Sequence, residues 1–381
     1  MQKRVVFARW LAAALALGFA LAVSADGAEP EFSWAHVPLY AHLGKTSGDF
    51  SPAEIRFLAS HFALVTIEKA QALDQRGSTE AGAAAAVAAL KRANPHLTVL
   101  VYWNAFVDYQ RMYDSLRTDL PADWFLDDGP SSAGGAPVQR FDSSNAAFRR
   151  WWIDTGAKLV SATGADGIFV DSIAAAAGHP AQLAVRLGPA RAAAIVSGAK
   201  AMLSGLRQRL GNGKLVIFNG LRAMPGGWPD GGLDFLPYAS GAMVEDFDFG
   251  QFTAPQQIAA DLELIRAAEA RGKIVLVKAW PTVNPPTGSS ESSPALAAGA
   301  HRDLDFPLAC FLVVAERGAY FGYAWGFRAE NGWFQTYDEF NRALGAPLGP
   351  AVRHGLVFER EFQHASVRAD LAAKSATIRW H

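Results

Sequence analysis

Two apolar runs in this chain end in acids. Gly167-Ile168-Phe169-Val170-Asp171 ends in one carboxylate, and Ala242-Met243-Val244-Glu245-Asp246 ends in two. An acid that directly follows a buried strand lies where parallel barrels keep their reacting groups, at the C-terminal strand ends. One carboxylate on each of two such ends is the equipment for acid/base or nucleophilic attack on a glycosidic bond. Asp171 is the first candidate, favoured over a structural Asp that caps the next turn. Asp166 precedes the same strand, so it reads as a turn or stability residue.

Glu245, Asp246 and Asp248 compete for the second carboxylate. Side chains alternate along a strand, so Glu245 and Asp246 face different ways. Glu245 is preferred for catalysis, because a general acid needs a raised pKa and aromatic walls supply one. Asp246 is kept as a substrate contact, and Asp248 reads as a loop residue or cap.

Other polar residues end other runs. Glu68, followed by Lys69, is open between holding a sugar hydroxyl and pairing with its neighbours. Asn104 and Asn219 can both donate to and accept from hydroxyls. Lys278 is open between touching a substrate group and pairing with Glu245 or Asp246. Tyr40, Tyr102, Trp103, Trp280, Tyr323 and Trp325 gather at the same ends. Aromatic faces suit the apolar faces of sugar rings. About half are expected to fill the barrel instead, with Trp280 and Trp325 the better platforms. His36, His42 and His179 show no partner pattern and read as surface or loop residues.

Eight strand-like runs separated by helical stretches position these groups. The runs are 37–41, 63–67, 98–103, 167–171, 214–218, 241–245, 273–277 and 319–323. Continuous Val/Ile/Leu/Phe runs alternating with helices imply a parallel sheet covered on both faces. Eight such units imply an α/β fold of the (β/α)8 TIM-barrel type. Ser51-Pro52-Ala53-Glu54 reads as a capping box. Phe148, Trp151, Trp152 and Leu159 form a helical stripe that packs on the sheet. A further helix is expected over about 302–317. Long insertions at about 107–140, 220–240 and 281–299 follow strands, which places them on the active-site face and suggests an open cleft. The barrel is expected over 34–350. Two short strands in 351–381 are expected to form a small β appendage packed on it.

The chain has 381 residues, half of them hydrophobic, and a net charge of −1. That leaves no basis for a polyanionic partner, and no basic stripe with interleaved aromatics suggests nucleic acid. A single cysteine, Cys310, excludes an intrachain disulfide and reads as a buried small hydrophobe. No Cys or His pair has zinc-ligand spacing, so neither metal nor cofactor is expected. Lys3 and Arg4, the apolar stretch 11–23 and Val23-Ser24-Ala25 fit a signal peptide over 1–25, cleaved near Ala25. The stretch is too short to span a bilayer comfortably. The expectation is a secreted or periplasmic protein with no other membrane segment, acting as a monomer.

Gly164-Ala165-Asp166-Gly167-Ile168-Phe169-Val170-Asp171 resembles the fourth-strand motif of the hypothetical glycosyl hydrolase family fifteen and, more distantly, of endo-polygalactosaminidase-like families. Tyr102-Trp103-Asn104, Asn219-Gly220, Glu245-Asp246-Phe247 and the tail Phe358-Glu359-Arg360-Glu361-Phe362 are shorter matches. The similarity covers roughly residues 34–380. A glycine usual in the tail turn is replaced at Ala365. The resemblance implies a glycosidase with Asp171 as nucleophile and Glu245 as general acid/base, with a lean towards retention. The expected substrate is a polysaccharide or oligosaccharide. A carbohydrate-binding barrel without catalysis is the alternative. An esterase or amidase is disfavoured, because no G-x-S-x-G elbow is present.

Overall fold

The computed structural model describes residues 29–109, 112–126, 131–133, 136–173, 180–223, 230–283 and 294–381. The expected signal peptide and His179 lie outside these residues. Eight strands form one parallel sheet: β1 (Tyr40–Leu43), β2 (Leu64–Ile67), β3 (Thr98–Asn104), β4 (Gly167–Asp171), β5 (Leu215–Asn219), β6 (Gly241–Phe247), β7 (Ile274–Ala279) and β8 (Ala319–Tyr323). They pair in chain order. The ring closes where Leu39 bridges Phe321 in parallel and the Phe321 amide donates to the Pro38 carbonyl at 2.8 Å. This is the expected (β/α)8 barrel. Its strands are buried on both faces, which is why they read as unbroken apolar runs.

The helices that cover the barrel include α1 (Pro52–His61), α2 (Thr79–Ala93), α3 (Ala146–Thr163), α4 (Pro189–Leu210), α5 (Pro255–Glu269) and α6 (Pro294–Leu312). The capping box forms at α1: Ser51 Oγ accepts from the Glu54 amide at 3.2 Å, and Glu54 Oε2 accepts from the Ser51 amide at 2.6 Å. On α3 the stripe buries Phe148, Trp152 and Leu159 against the sheet. Among the described residues, no helix is long and apolar enough to cross a membrane.

Both carboxylate-bearing strands begin with glycine. A Cβ on Gly167 would stand 2.2 Å from the Leu215 carbonyl oxygen, and one on Gly241 would stand 2.2 Å from that of Ile274. Any side chain there would push these strands off their neighbours.

Three elements differ from the sequence reading. The first strand starts at Tyr40, three residues later than the run 37–41, and therefore carries His42 as well. The helix expected over 302–317 runs instead from Pro294 to Leu312, and the chain turns into β8 through Gly318, whose φ is +97°. The tail has four antiparallel strands rather than two: β9 (Val352–His354), β10 (Val357–Glu361), β11 (Ala365–Asp370) and β12 (Ser375–Trp380). Strand β11 was hidden because its inward residues are Ala365, Val367 and Ala369, with polar residues between them. Such a segment becomes a strand through its neighbours more than through its own propensity.

The tail sheet lies along α6. Buried Arg360 on β10 donates to the carbonyls of Leu312 and Ala315, at 3.3 and 2.6 Å, and to Glu316 at 2.6 Å. It thereby satisfies carbonyls that the end of a helix leaves without partners. Hydrogen bonds from a charged donor are each worth about 1.5–3 kcal/mol. Arg360→Ala is therefore expected to cost on the order of 3 kcal/mol, read as a lower urea midpoint at unchanged m. An unchanged midpoint would mean that the tail is not anchored there.

Candidate active site

Inward-facing side chains at the C-terminal strand ends converge around Asp171. Its Oδ2 accepts from the Tyr102 hydroxyl at 2.5 Å and from Asn104 Nδ2 at 3.3 Å. Its Oδ1 accepts from the Ser172 amide at 2.7 Å and from Asn219 Nδ2 at 3.0 Å. Ser172 has a φ of +59°, a left-handed conformation that turns the chain back over the carboxylate. Asn104 is itself oriented, since its Oδ1 accepts from the amides of Phe106 and Val107 at 2.8 and 2.7 Å. Its nitrogen then faces Tyr102 and Asp171.

Asn219 Nδ2 also donates to Glu245 Oε2, at 2.5 Å. One amide nitrogen thus holds both candidate carboxylates. Their two oxygens can stand no farther apart than these two bonds laid end to end. Burial, followed by the charges of Asp171 and Asp246, raises the Glu245 carboxyl to about 7, against the opposing effects of the Asn219 bond and Arg222.

A bulge in β6 separates Glu245 from Asp246. The register with β7 shifts between Val244 and Phe247, and Asp246 has a φ of +53°. Asp246 faces Arg222 at 3.6 Å instead of joining Asp171. Arg222 also donates to the Glu245 backbone carbonyl and lies 4.1 Å over the Phe252 ring. Asp248 pairs with Lys374 of the tail at 2.6 Å.

On the opposite side, buried Glu68 accepts from His42 Nε2 at 2.6 Å and from Lys69. Glu68 thus makes the pairing with neighbours that was one of the two readings left open for it. Burial opposes its ionisation, yet Lys69 and His42 hold its pKa below the usual value. Lys69 sits 4.5 Å over the Tyr102 ring and 5.4 Å over that of Tyr109. His42 is therefore a barrel-interior residue, not the surface residue expected from sequence.

Several expected contacts are placed elsewhere. Trp103 follows Tyr102 and so points outward, where it packs on Tyr113, Trp151 and Trp152. Tyr323 also points outward, and its hydroxyl donates to the Ala300 carbonyl of α6 at 2.9 Å. Tyr40 fills the barrel interior, its hydroxyl against Met243 Sδ at 3.4 Å. Trp325 is buried and donates to the Val283 carbonyl at 2.5 Å. Lys278 does not pair with Glu245 or Asp246. It is fully buried, donates to the carbonyls of Ala279 (3.1 Å) and Ala324, and lies 3.8 Å from the centre of the Trp280 ring. Burial lowers its pKa to about 7, against the pull of Glu245 and Asp246. Trp280 keeps part of its surface exposed but stacks on Phe249 at 4.8 Å.

Sequence reasoning missed His42, Arg222 and Tyr109. His42 had a signal, since it lies two residues beyond inward-facing Tyr40. Arg222 and Tyr109 lie on loops, where no period marks which side chain turns inward.

The chain belongs to the family described as hypothetical glycosyl hydrolase family 15, which matches residues 91–366. It is a glycoside hydrolase. No curated protein matches the sequence. Among solved structures, it is similar to Ega3 from Aspergillus fumigatus in complex with galactosamine: 11% identity, TM-score 0.46, covering 78% of this chain and 94% of that one. It is similar to an alpha-amylase from Malbranchea cinnamomea at 12% identity and TM-score 0.47, covering 89% and 85%. It is also similar to the alpha-galactosidase TtGalA from Thermus thermophilus at 17% identity and TM-score 0.48, covering 91% and 68%.

The raised pKa of Glu245 has a consequence for stability. The folded state holds this proton more tightly than the unfolded state does. The group therefore costs the fold nothing below its ordinary value of 4.5, where both states are protonated, and opposes folding increasingly as pH rises towards about 7. Glu245→Gln is expected to raise Tm at pH 8 and to change it little at pH 4. Equal shifts at both pH values would refute the buried, proton-retaining carboxyl.

Proposed function

We propose that this protein is an exported glycosidase that cleaves O-glycosidic bonds of a polysaccharide or oligosaccharide with retention of configuration. The observation that carries the reading is the shared Asn219 nitrogen between Asp171 and Glu245. Retaining enzymes place their two carboxyl groups about 5–5.5 Å apart, whereas inverting enzymes need about 6.5–9.5 Å to seat a water. The closeness of these two carboxylates supports the first arrangement.

In this reading Asp171 attacks the anomeric carbon as the bond to the leaving oxygen breaks, and Glu245 gives its proton to that oxygen. A covalent glycosyl–Asp171 ester results. Glu245, now ionised, takes a proton from water, and the hydroxide attacks the anomeric carbon and releases Asp171. Tyr102, Asn104, Asn219 and the Ser172 amide hold the Asp171 carboxylate in one rotamer, and such positioning is itself a large part of catalysis. An acid near 7 is suited to both proton transfers at neutral pH.

Reducing-end release from a panel of exopolysaccharides and α- and β-glycans tests the reading. Glu245→Gln is expected to lower kcat about 10²–10⁴-fold, and Asp171→Asn at least as far. In the wild type, kcat/KM should fall as pH rises through about 7, because the acid must be protonated. That limb should vanish from any residual Glu245→Gln activity. Wild-type activity in both folded variants would sink the assignment. Glycan binding without hydrolysis would favour the non-catalytic barrel.

Export rests on the positive start, the apolar stretch 11–23 and the small-residue site at Val23-Ser24-Ala25. Expression of the full chain in a secreting host should give a mature N-terminus near Asp26 by mass spectrometry. A retained Met1 on the purified protein would refute cleavage.

A further inference from the structure

Asp261 lies in the helix layer, outside the barrel, yet it is only 1% exposed. It stands on the core face of α5 with Ile258, Leu262 and Ile265, where the helical period calls for an apolar side chain. A carboxylate taken out of water there is costly unless hydrogen bonds hold it. Burial raises its pKa to about 6, against the opposing effects of the Ala223 amide, Gln257 and Arg222.

Its partners show what the position serves. Asp261 Oδ1 accepts from the Ala223 amide at 2.7 Å, and Gln257, one turn earlier on the helix, donates to it at 3.4 Å. Ala223 belongs to the loop after β5, and every amide from Gly220 to Ala223 is held. Those of Gly220 and Leu221 donate to the Met243 carbonyl of β6 at 3.3 and 3.1 Å, and that of Arg222 donates to the Gly231 carbonyl at 2.9 Å. The last of the four is held by the Asp261 side chain. The peptide plane between Arg222 and Ala223 is rigid, so this bond fixes the direction in which Arg222 leaves the loop. From there the guanidinium reaches the Glu245 carbonyl, the Asp246 carboxylate and the Phe252 ring.

We propose that Asp261 is a positioning residue of the active site: through the Ala223 amide it aims Arg222, and Arg222 holds the β6 bulge that turns Glu245 towards Asn219 and Asp246 away from it. The proposal rests on the glycosidase reading for the importance of Glu245. Its test reads the Glu245 carboxyl directly and needs no turnover.

Among the described residues, Glu245 is faced by Asp171 from β4, Asp246 from its own strand, Arg222 from the loop, Lys278 from β7 and Tyr40 from β1. Arg222 lowers its pKa, so an Arg222 that swings away leaves that pKa higher. The Asp261 charge acts with the opposite sign, because removing a carboxylate without moving Arg222 lowers the pKa of a neighbouring acid. The direction of the change therefore separates positioning from a charge effect through space.

The full chain would be labelled with 13C at the glutamate carboxyls and titrated by NMR, the Glu245 signal being identified by its absence from Glu245→Gln. Asp261→Leu removes the acceptor at nearly constant volume. It is expected to raise the Glu245 pKa by at least about half a pH unit, below the roughly 1–3 that an adjacent guanidinium contributes. Arg222→Met should raise it equally, and the double variant no further, because the two residues act in series. Asp261→Asn keeps the acceptor and discards the charge, so it should leave the value unchanged or slightly lower. If Asp261→Leu fails to fold, Asp261→Ala removes the same acceptor and carries the same expectation. A downward or absent change in Asp261→Leu would overturn the proposal. So would additive changes in the double variant, or a rise in Asp261→Asn as large as in Asp261→Leu. A wild-type Glu245 that titrates near 4.5 would count instead against the acid of the glycosidase reading, and the difference between wild type and variants would still decide the role of Asp261.

Discussion

One amide nitrogen, that of Asn219, lies between the carboxylates of Asp171 and Glu245, and the rest of the mouth is arranged around that contact. Two negative charges about 5 Å apart repel by about 3 kcal/mol at an effective dielectric constant of about 20. The barrel answers this repulsion in two ways. It surrounds Asp171 with donors from three strand ends, and it buries Glu245 so that this acid retains its proton near neutrality. The two carboxyl groups therefore differ in environment rather than in kind, the difference that the proposed division into nucleophile and acid requires. The glycines at the starts of β4 and β6 belong to the same constraint, since they let the two acid-bearing strands seat tightly against their neighbours.

The β6 bulge decides which of two adjacent acids shares Asn219 with Asp171. Glu245 and Asp246 are adjacent, so an unbroken strand would send one inward and the other into the helix layer. The shift after Val244 instead swings Asp246 towards Arg222 on the rim. Arg222 gathers the Glu245 carbonyl, the Asp246 carboxylate and the Phe252 ring, so it holds the bulge in place. Bulges of this kind re-aim side chains next to active sites.

The barrel, and the two acids that meet at Asn219, were legible in the sequence because eight apolar runs ending in polar residues leave few other architectures. What failed to read through was parity. Tyr102, Trp103 and Asn104 all sit at one strand end, but only the first and third reach the interior, and Trp103 packs outward on α3. Tyr323 packs outward for the same reason, opposite an inward Gly322 that lies against Tyr40. A three-residue error in the start of β1 hid His42, which would otherwise have been read as inward alongside Tyr40. Arg222 could not have been found this way, because its position depends on a loop held by long-range bonds such as Ala223 to Asp261 at 2.7 Å.

Lys278 shows how far burial at the mouth reaches. Its ammonium lies among the carbonyls of Ala279 and Ala324 and the face of Trp280, with no carboxylate of the described residues bonded to it. Desolvation brings it to about 7, the value that burial also gives Glu245 from the opposite direction. The charges of Glu245 and Asp246 oppose that fall and help Lys278 stay charged, although neither is bonded to it. They act through the low-dielectric interior, which strengthens charge interactions that water would screen.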